Sequence, residues 1–165
     1  MSSDDIELSS MLFDYSTLLC SRNEYKTAMP LLEEALRIQK TKLGLKDVRV
    51  AKTLLRIAEV HSDQEKYDAS LVCLEQVLFI ESSLDEDNGI DLGLCHYLLG
   101  VTYLEKNAFE KSISSFLRSM EIKKLMFGPS SVECAAVQNN LGKAYGKIHE
   151  FDKAIECLVE GKNQV

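Results

Sequence analysis

Columns of matching residue types recur every 42 residues along this chain of 165 residues, and they limit its possible folds more than its composition does. In each repeat an aromatic residue is followed three positions later by a small residue, and four positions after that by a large apolar one. The columns are Tyr25, Tyr67, Phe109 and Phe151; Ala28, Ser70, Ser112 and Ala154; and Leu32, Leu74, Phe116 and Leu158. A fixed period of this length is typical of stacked arrays, so we divide the chain into repeats 9–50, 51–92, 93–134 and 135–165.

Each repeat contains two segments in which apolar residues lie three or four positions apart, as Ile113, Phe116 and Met120 do. This spacing places them on one side of a helix, whereas a strand would alternate. Polar breaks containing Asn23 and Asn107 separate the two segments, and asparagine tolerates the left-handed conformation that ends a helix. Glycine-containing stretches separate successive repeats. The pattern therefore predicts an all-α fold with two helices in each repeat.

A period near 42 also suits HEAT and armadillo repeats, so the residues inside each repeat must indicate the family. The run Leu141–Tyr145 reads Leu-Gly-Lys-Ala-Tyr and is followed by Phe151, Ala154 and Leu158. This pattern resembles the tetratricopeptide repeat signature, and the run Leu99–Tyr103 begins a second copy of it. The small residue in the run lets the paired helices approach, and the large residues fill the space beside it.

The repeats are longer than the usual tetratricopeptide unit of about 34 residues, and the second helix of each is lengthened. This length, together with the Asn-Asn-Leu-Gly run at 139–142, resembles the repeats of the kinesin light chain and its relatives. The resemblance implies a right-handed α-solenoid of four helix-turn-helix repeats in a single domain over residues 1–165. It also implies a non-catalytic module that binds proteins on a concave surface, lined mainly by the first helix of each repeat.

On that resemblance, the inward-facing positions of repeats three and four are the best candidate for a peptide-binding groove. We expect Tyr97, Val101 and Leu104 to contact apolar side chains of a bound peptide. Asn140 would bond the peptide backbone, and the lysines of the same helix would attract a carboxylate. The full candidate set is Arg56, Tyr97, Val101, Leu104, Asn139, Asn140, Lys143 and Lys147. The alternative is that Leu98 and Leu104 pack between repeats and that Lys143 and Lys147 are a solvated pair.

The inward-facing positions of the first two repeats have mixed chemistry. They are Ser10, Phe13, Asp14, Thr17, Cys20 and Ser21 in the first repeat, and Lys52, Leu55, Arg56, Glu59, Ser62 and Asp63 in the second. Only Arg56 of these joins the candidate set, because the apolar and basic character that suits a peptide is concentrated in repeats three and four.

Composition argues against several classes of protein. The net charge of −7 disfavours nucleic-acid binding, which needs a basic face. The apolar runs are too short to cross a bilayer, so we expect no membrane insertion. The acidic start at Met1–Asp5 is unlike a secretory signal, which favours a cytoplasmic location. The five cysteines have irregular spacing and an odd number, which suits reduced thiols.

The sequence offers no motif for catalysis, so we expect no enzymatic activity, no cofactor and no metal. Phosphate-loop, dinucleotide-binding and nucleophile-elbow motifs are absent from the sequence. His61, His96 and His149 fall in different columns, and the adjacent Cys95 and His96 point about 100° apart on a helix. The acidic run at 85–87 lacks the fifth and twelfth ligands of a calcium-binding loop.

Two other roles are compatible with the sequence. The last repeat is short and no polar capping helix follows it, so Ile155 and Leu158 would form an exposed apolar strip. Such a strip suits further repeats in a longer chain, or copies that stack as a self-assembling structural scaffold. The remaining alternative is a ligand-sensing regulatory domain attached to an enzyme in a longer protein.

Overall fold

The computed structural model of the chain describes residues 3–84 and 91–162, and within these ranges it contains eight helices. In chain order they are α1 (Ser3–Ser21), α2 (Tyr25–Leu43), α3 (Val48–Asp63), α4 (Tyr67–Glu81), α5 (Leu92–Glu105), α6 (Phe109–Phe127), α7 (Val132–Lys147) and α8 (Phe151–Lys162). They pack as four hairpins, each formed by two consecutive helices. The predicted all-α fold is confirmed for this part of the chain, while the acidic run at 85–87 lies outside it.

The helices group into two compact units, Met1–Ile90 and Asp91–Val165. In the first unit α2 also packs against α3, and α1 contacts α3. In the second unit α6 packs against α7, and α5 contacts α7. Each unit therefore contains two hairpins whose first helices are neighbours, as a tetratricopeptide array requires. The single domain over residues 1–165 and the four repeat boundaries stay predictions.

The turn inside each hairpin has the same backbone geometry in all four hairpins. One residue of each turn has a positive φ, and these residues are Asn23 (59°), Glu65 (60°), Asn107 (58°) and His149 (64°). After this residue the chain bonds back to the end of the helix, as when the amide of Ala108 donates to the carbonyl of Tyr103 at 2.8 Å. Asparagine tolerates this conformation readily, but Glu65 and His149 adopt it because the helices packed on either side define the turn.

Glycine ends the second helix of two repeats. Gly44 follows α2 and Gly128 follows α6, with φ values of 88° and 86° that favour glycine. Asp47 and Ser131 are the N-cap residues of the next helices, α3 and α7, and each side chain accepts a hydrogen bond from a backbone amide in the first turn. The helices therefore stop and restart in the glycine-containing stretches that the sequence indicates.

The core of the second unit surrounds Phe116 of α6, which is fully buried beside Met120 and Leu141. Gly100 of α5 faces this ring, and a β-carbon on it would lie 2.5 Å from the nearest ring atoms. The hydroxyl of Ser112 donates to the carbonyl of Gly100 at 2.8 Å, in a buried position. The small residues Gly100 and Ser112 therefore allow α5 and α6 to pack closely, and they join the two helices by a hydrogen bond.

The first unit has an apolar core around Leu32, Ile57 and Val60. It also contains one buried polar pair, in which the hydroxyl of Thr53 on α3 donates to Oε1 of Gln39 on α2 at 2.8 Å. Gln39 is 3% exposed and Thr53 is fully buried, so each group depends on the other for this bond. The pair joins the first hairpin to the second.

Candidate functional site

The predicted binding residues of the second unit lie on the neighbouring helices α5 and α7. The hydroxyl of Tyr97 on α5 accepts a hydrogen bond from Nδ2 of Asn140 on α7 at 2.9 Å. The ammonium of Lys143, one turn along α7, donates to Oδ1 of the same amide at 3.3 Å. Tyr97, Asn140 and Lys143 therefore form one network. We call the surface that this network makes with Val101, Leu104 and Lys147 the α5–α7 wall.

The amide of Asn140 has an orientation that its neighbours determine. Its Nδ2 also donates to the carbonyl oxygen of Ala136 at 3.2 Å, and a carbonyl can only accept, so this contact identifies the nitrogen. Both Nδ2 protons are thus used within the unit, one by Ala136 and one by Tyr97. The atom that faces Lys143 is the acceptor Oδ1, which means that the amide can receive a hydrogen bond from an N–H group of a ligand.

The apolar members of the α5–α7 wall lie at the edge of the core. Tyr97, Val101 and Leu104 are partly buried and pack against the buried cluster around Phe116. The rings of Tyr97 and Phe116 have centroids 6.0 Å apart, with an interplanar angle of 57°. Core packing holds these side chains in place while part of each stays accessible, which is the arrangement that a preformed apolar subsite needs.

Three lysines lie on or beside the wall. Lys143 and Lys147 are exposed on α7. The ammonium of Lys123 on α6 lies 5.4 Å from the centre of the Tyr97 ring, a cation–π distance. The sequence did not indicate Lys123, because the inward-facing positions belong to first helices and Lys123 lies on a second helix. The wall therefore combines two exposed ammonium groups with a third beside its aromatic ring.

Asn139 lies apart from the wall, although it belongs to the predicted set. A β-carbon on Gly161 of α8 would lie 2.8 Å from Oδ1 of Asn139, so this amide faces α8. Adjacent residues on a helix point about 100° apart, which explains why Asn139 and Asn140 face different partners.

Arg56 belongs to the first unit, where it forms an ion pair with Glu59 one turn along α3. Two clefts lie between α1 and α3 there, of about 130 and 160 Å³. The first is lined by Ser10, Phe13, Asp14, Gln39, Arg49, Lys52 and Thr53, and the second by Thr17, Cys20, Ser21, Tyr25, Arg56, Glu59, Val60 and Asp63. Most of the inward-facing positions named from the sequence line these clefts. Gln39 and Tyr25 were missed, since they belong to a second helix.

The described residues contain no group of three histidine, cysteine or acidic side chains that could hold a metal ion. Burial lowers the pKa of His61 and of His96, which keeps both rings neutral. Burial likewise raises the pKa of the Cys20, Cys73 and Cys157 thiols, so these side chains stay protonated. Within residues 3–84 and 91–162 there is no helix both long and apolar enough to span a membrane.

Comparison with known proteins identifies the family. Two models of the tetratricopeptide repeat match the chain, one over residues 49–125 and the other over residues 16–47. The chain belongs to the tetratricopeptide repeat family. The predicted likeness of its repeats to those of kinesin light chains is also confirmed. Members of this family are interaction and scaffold modules, they typically bind protein partners, and they are generally non-catalytic.

Two known proteins are similar in sequence to stretches of this tetratricopeptide chain. Protein KINESIN LIGHT CHAIN-RELATED 3 of Arabidopsis thaliana is 25% identical over 152 residues, which cover 92% of this chain and 23% of that protein. Anaphase-promoting complex subunit CDC16 of Saccharomyces cerevisiae is 37% identical over 60 residues, or 36% of this chain and 7% of that one. The chain therefore spans less than a quarter of the length of either relative.

Solved structures share its fold. BtubC (BKLC) from P. vanneervenii superposes with a TM-score of 0.83 at 18% identity, covering 99% of this chain and 65% of that chain. A putative kinesin light chain from Podosopora anserina with nearly identical TPR-like repeats gives 0.70 at 16% identity, covering 94% and 74%. These likenesses confirm the predicted fold class, an α-solenoid of tetratricopeptide repeats.

Proposed function

We propose that this chain is a protein-interaction module that captures a short segment of a partner on the α5–α7 wall of its second unit. The observation that carries the proposal is the network of Tyr97, Asn140 and Lys143, which joins two neighbouring first helices. It places an amide acceptor, an exposed ammonium and a supported aromatic ring within one short stretch of surface. Peptide recognition needs these groups together, since main-chain bonds give affinity and side-chain contacts give specificity.

The wall supports a segment that carries large apolar side chains next to a carboxylate. Val101 and Leu104 follow Tyr97 along α5 at helical spacing and are held by the core, so apolar side chains of the segment would rest on them. Asn140 would accept a hydrogen bond from a main-chain N–H at Oδ1. Lys143 would then turn from that oxygen toward the carboxylate, with Lys147 one turn away.

Selection and mutation together test this function. Random short peptides displayed on phage are selected against the chain, and the dissociation constants of the recovered peptides are measured by fluorescence anisotropy. We expect peptides rich in acidic and large apolar residues. The Asn140→Ala/Lys143→Ala variant should bind them about tenfold or more weakly, because it loses a charge-assisted contact and a main-chain contact.

The matched control is Lys111→Ala/Ser114→Ala, which removes one ammonium and one small polar side chain from exposed positions of α6, where Lys111 lies over the ring of Tyr103, a residue outside the wall. It should bind within about twofold of the parent, since exposed charges away from an interface contribute little. Unchanged binding by the Asn140→Ala/Lys143→Ala variant, with helicity intact, would contradict the proposed wall.

A second candidate function, self-assembly, is favoured by the exposure of α8. Ile155 is 59% exposed, whereas Ile113 at the same repeat position packs into the core that α6 forms with α7. Leu158 is 38% exposed, whereas Phe116 at its repeat position is fully buried. The face of α6 that carries Ile113 and Phe116 is covered by α7, the first helix of the next hairpin. We infer that the first helix of a second copy could cover α8 in the same way.

Light scattering over a range of concentrations tests the assembly. The weight-average mass should rise with concentration in the parent and stay at the monomer value in Ile155→Lys, because a buried ammonium without a partner opposes association. Ile155 is a better site than Leu158, since Leu158 packs on Gly142 within its own hairpin. Val72→Lys on α4, where Val72 is 55% exposed, is the control. A parent that stays monomeric throughout excludes this function.

A further inference from the structure

The larger of the two clefts described between α1 and α3, which we call the α1–α3 cleft, has a chemistry that the α5–α7 wall lacks. It measures about 160 Å³ and is lined by Thr17, Cys20, Ser21, Tyr25, Arg56, Glu59, Val60 and Asp63. Pockets for whole small molecules are larger, at about 300–1,000 Å³, so this cleft is of a size for one side chain. All of its lining residues belong to α1, α2 and α3, within a single unit.

The charges of the cleft do not cancel. Arg56 is paired with Glu59, and each of these side chains is 29% exposed. The carboxylate of Asp63 accepts a hydrogen bond at Oδ2 from the Tyr25 hydroxyl, at 2.8 Å. This bond raises the pKa of Tyr25 to about 12, so the phenol stays protonated and remains a neutral donor. One negative charge is left, on Asp63, with its Oδ1 available to a ligand.

Two polar atoms of the cleft are buried and have no hydrogen-bond partner in the described part of the chain. They are Oγ1 of Thr17 and Nε of Arg56. Both atoms have almost no accessible surface, so a ligand reaches either of them only when the Thr17 or Arg56 side chain rotates toward the cleft. A buried donor or acceptor without a partner costs about 1–3 kcal/mol, so a ligand that then satisfies either atom gains affinity. Thr17 can accept a hydrogen bond, whereas the Nε–H of Arg56 can only donate one.

We propose that the α1–α3 cleft binds the lysine or arginine side chain of a polypeptide partner. The cationic head donates to Oδ1 of Asp63 and to the Thr17 hydroxyl. The aliphatic stem lies against Cys20 and Val60, and a main-chain carbonyl of the same partner residue accepts from Nε–H of Arg56. A basic residue supplies all of these groups together. This site is separate from the α5–α7 wall and does not require a ligand there.

Cys20 allows a direct test, because it lines the cleft. The chain is equilibrated with cystamine and its thiol, or with bis(2-hydroxyethyl) disulfide and its thiol. Burial raises the pKa of Cys20, so only the small thiolate fraction of its thiol reacts, and the mixture is left until the exchange reaches equilibrium. That thiolate attacks one sulfur of the probe, which forms a mixed disulfide and releases the other half as a thiolate. Cystamine leaves an aminoethyl group on Cys20 and the other probe leaves a hydroxyethyl group, so an ammonium and a hydroxyl stand at the end of the same two-carbon chain. Peptide mass spectrometry after acid quenching gives the extent of modification at Cys20 for each probe.

The ratio of the aminoethyl to the hydroxyethyl adduct should fall about threefold when Asp63 is changed to Asn, because a partly exposed ion pair is lost. Using the ratio within each protein removes the different reactivities of the two probes. The control Glu75→Gln removes an equal charge from an exposed position on α4 and should leave the ratio unchanged. Tyr25→Phe keeps the Asp63 carboxylate and frees Oδ2, so its ratio should equal or exceed that of the parent.

Two results would overturn the proposal. One is an unchanged ratio in Asp63→Asn, and the other is an equal fall in Glu75→Gln, which would mean that net charge rather than the cleft attracts the ammonium. If Asp63→Asn loses helicity, the ratio of aminoethyl to hydroxyethyl adduct is measured instead in the parent protein with half-molar sodium chloride. Salt screens the attraction between Asp63 and the ammonium group, so this ratio must fall. None of these measurements involves Asn140 or Lys143, so peptide capture by the α5–α7 wall can fail while the cleft site stands.

Discussion

Replacing Gly100 by alanine should lower the free energy of unfolding by about 3 kcal/mol, through a single added methyl group. That methyl would lie 2.5 Å from two ring carbons of Phe116, whose side chain is fully buried and has no room to turn away. Alanine gains about 1 kcal/mol over glycine in helix propensity, which offsets only part of the clash. Urea unfolding followed by far-ultraviolet circular dichroism measures the difference.

Gly146→Ala is the matched control, because Gly146 also lies in a helix but has open space around the position of a β-carbon. It should stabilise the chain by about 0.5–1 kcal/mol. The Gly100→Ala/Phe116→Leu variant should recover much of the lost stability, since it recreates the alanine and leucine that the second repeat carries at Ala58 and Leu74. A Gly100→Ala variant as stable as the parent would refute the close approach of α5 and α6.

Replacing Thr53 by valine should destabilise the chain by about 2 kcal/mol, because Gln39 would keep a buried carbonyl oxygen without its donor. Valine has nearly the shape of threonine, so the change removes the hydroxyl and little of the packing. The same urea unfolding experiment measures the loss. Substitutions at an ordinary surface site change the free energy of unfolding by about 0.5 kcal/mol or less. A loss within that range in Thr53→Val would show that Gln39 finds another hydrogen-bond partner.

The double variant Thr53→Val/Gln39→Leu separates the hydrogen bond from the packing. Replacing both partners of a buried pair by apolar groups is nearly neutral, so the double variant should be more stable than Thr53→Val alone. Thr41→Val serves as the surface control, since the Thr41 hydroxyl bonds to the carbonyl of Arg37 in an exposed position of α2. It should stay within about 0.5 kcal/mol of the parent.

The α5–α7 wall illustrates how far sequence reasoning reaches. Helical spacing alone placed Tyr97 and Val101 on one face of α5, and Asn140 and Lys143 on one face of α7. The tetratricopeptide pattern predicted that α5 and α7, the first helices of successive repeats, are neighbours. The sequence could not indicate that Asn140 uses both of its amide protons inside the unit, because that depends on distances between helices.

The first unit was predicted less completely. Most of the inward-facing positions named from the sequence line the two clefts, but Leu55 is buried and Ser62 lines neither cleft. Their mixed composition gave no reason to choose among them, and Tyr25, which orients Asp63, lies on a different helix. A site made from three helices has no continuous signal along the chain, so only the packed structure reveals it.

The helical class, the 42-residue period and the close contact at Gly100 can all be predicted from the amino-acid sequence. These follow from local spacing and from the volume of side chains, which any stacked arrangement of the repeats must accommodate. Only the packing of the helices shows that Asn139 faces α8 while Asn140 faces α5, and that Asp63 keeps a charge which Arg56 does not neutralise. Those outcomes depend on distances of a few ångströms between different helices, and residue spacing along one chain does not contain them.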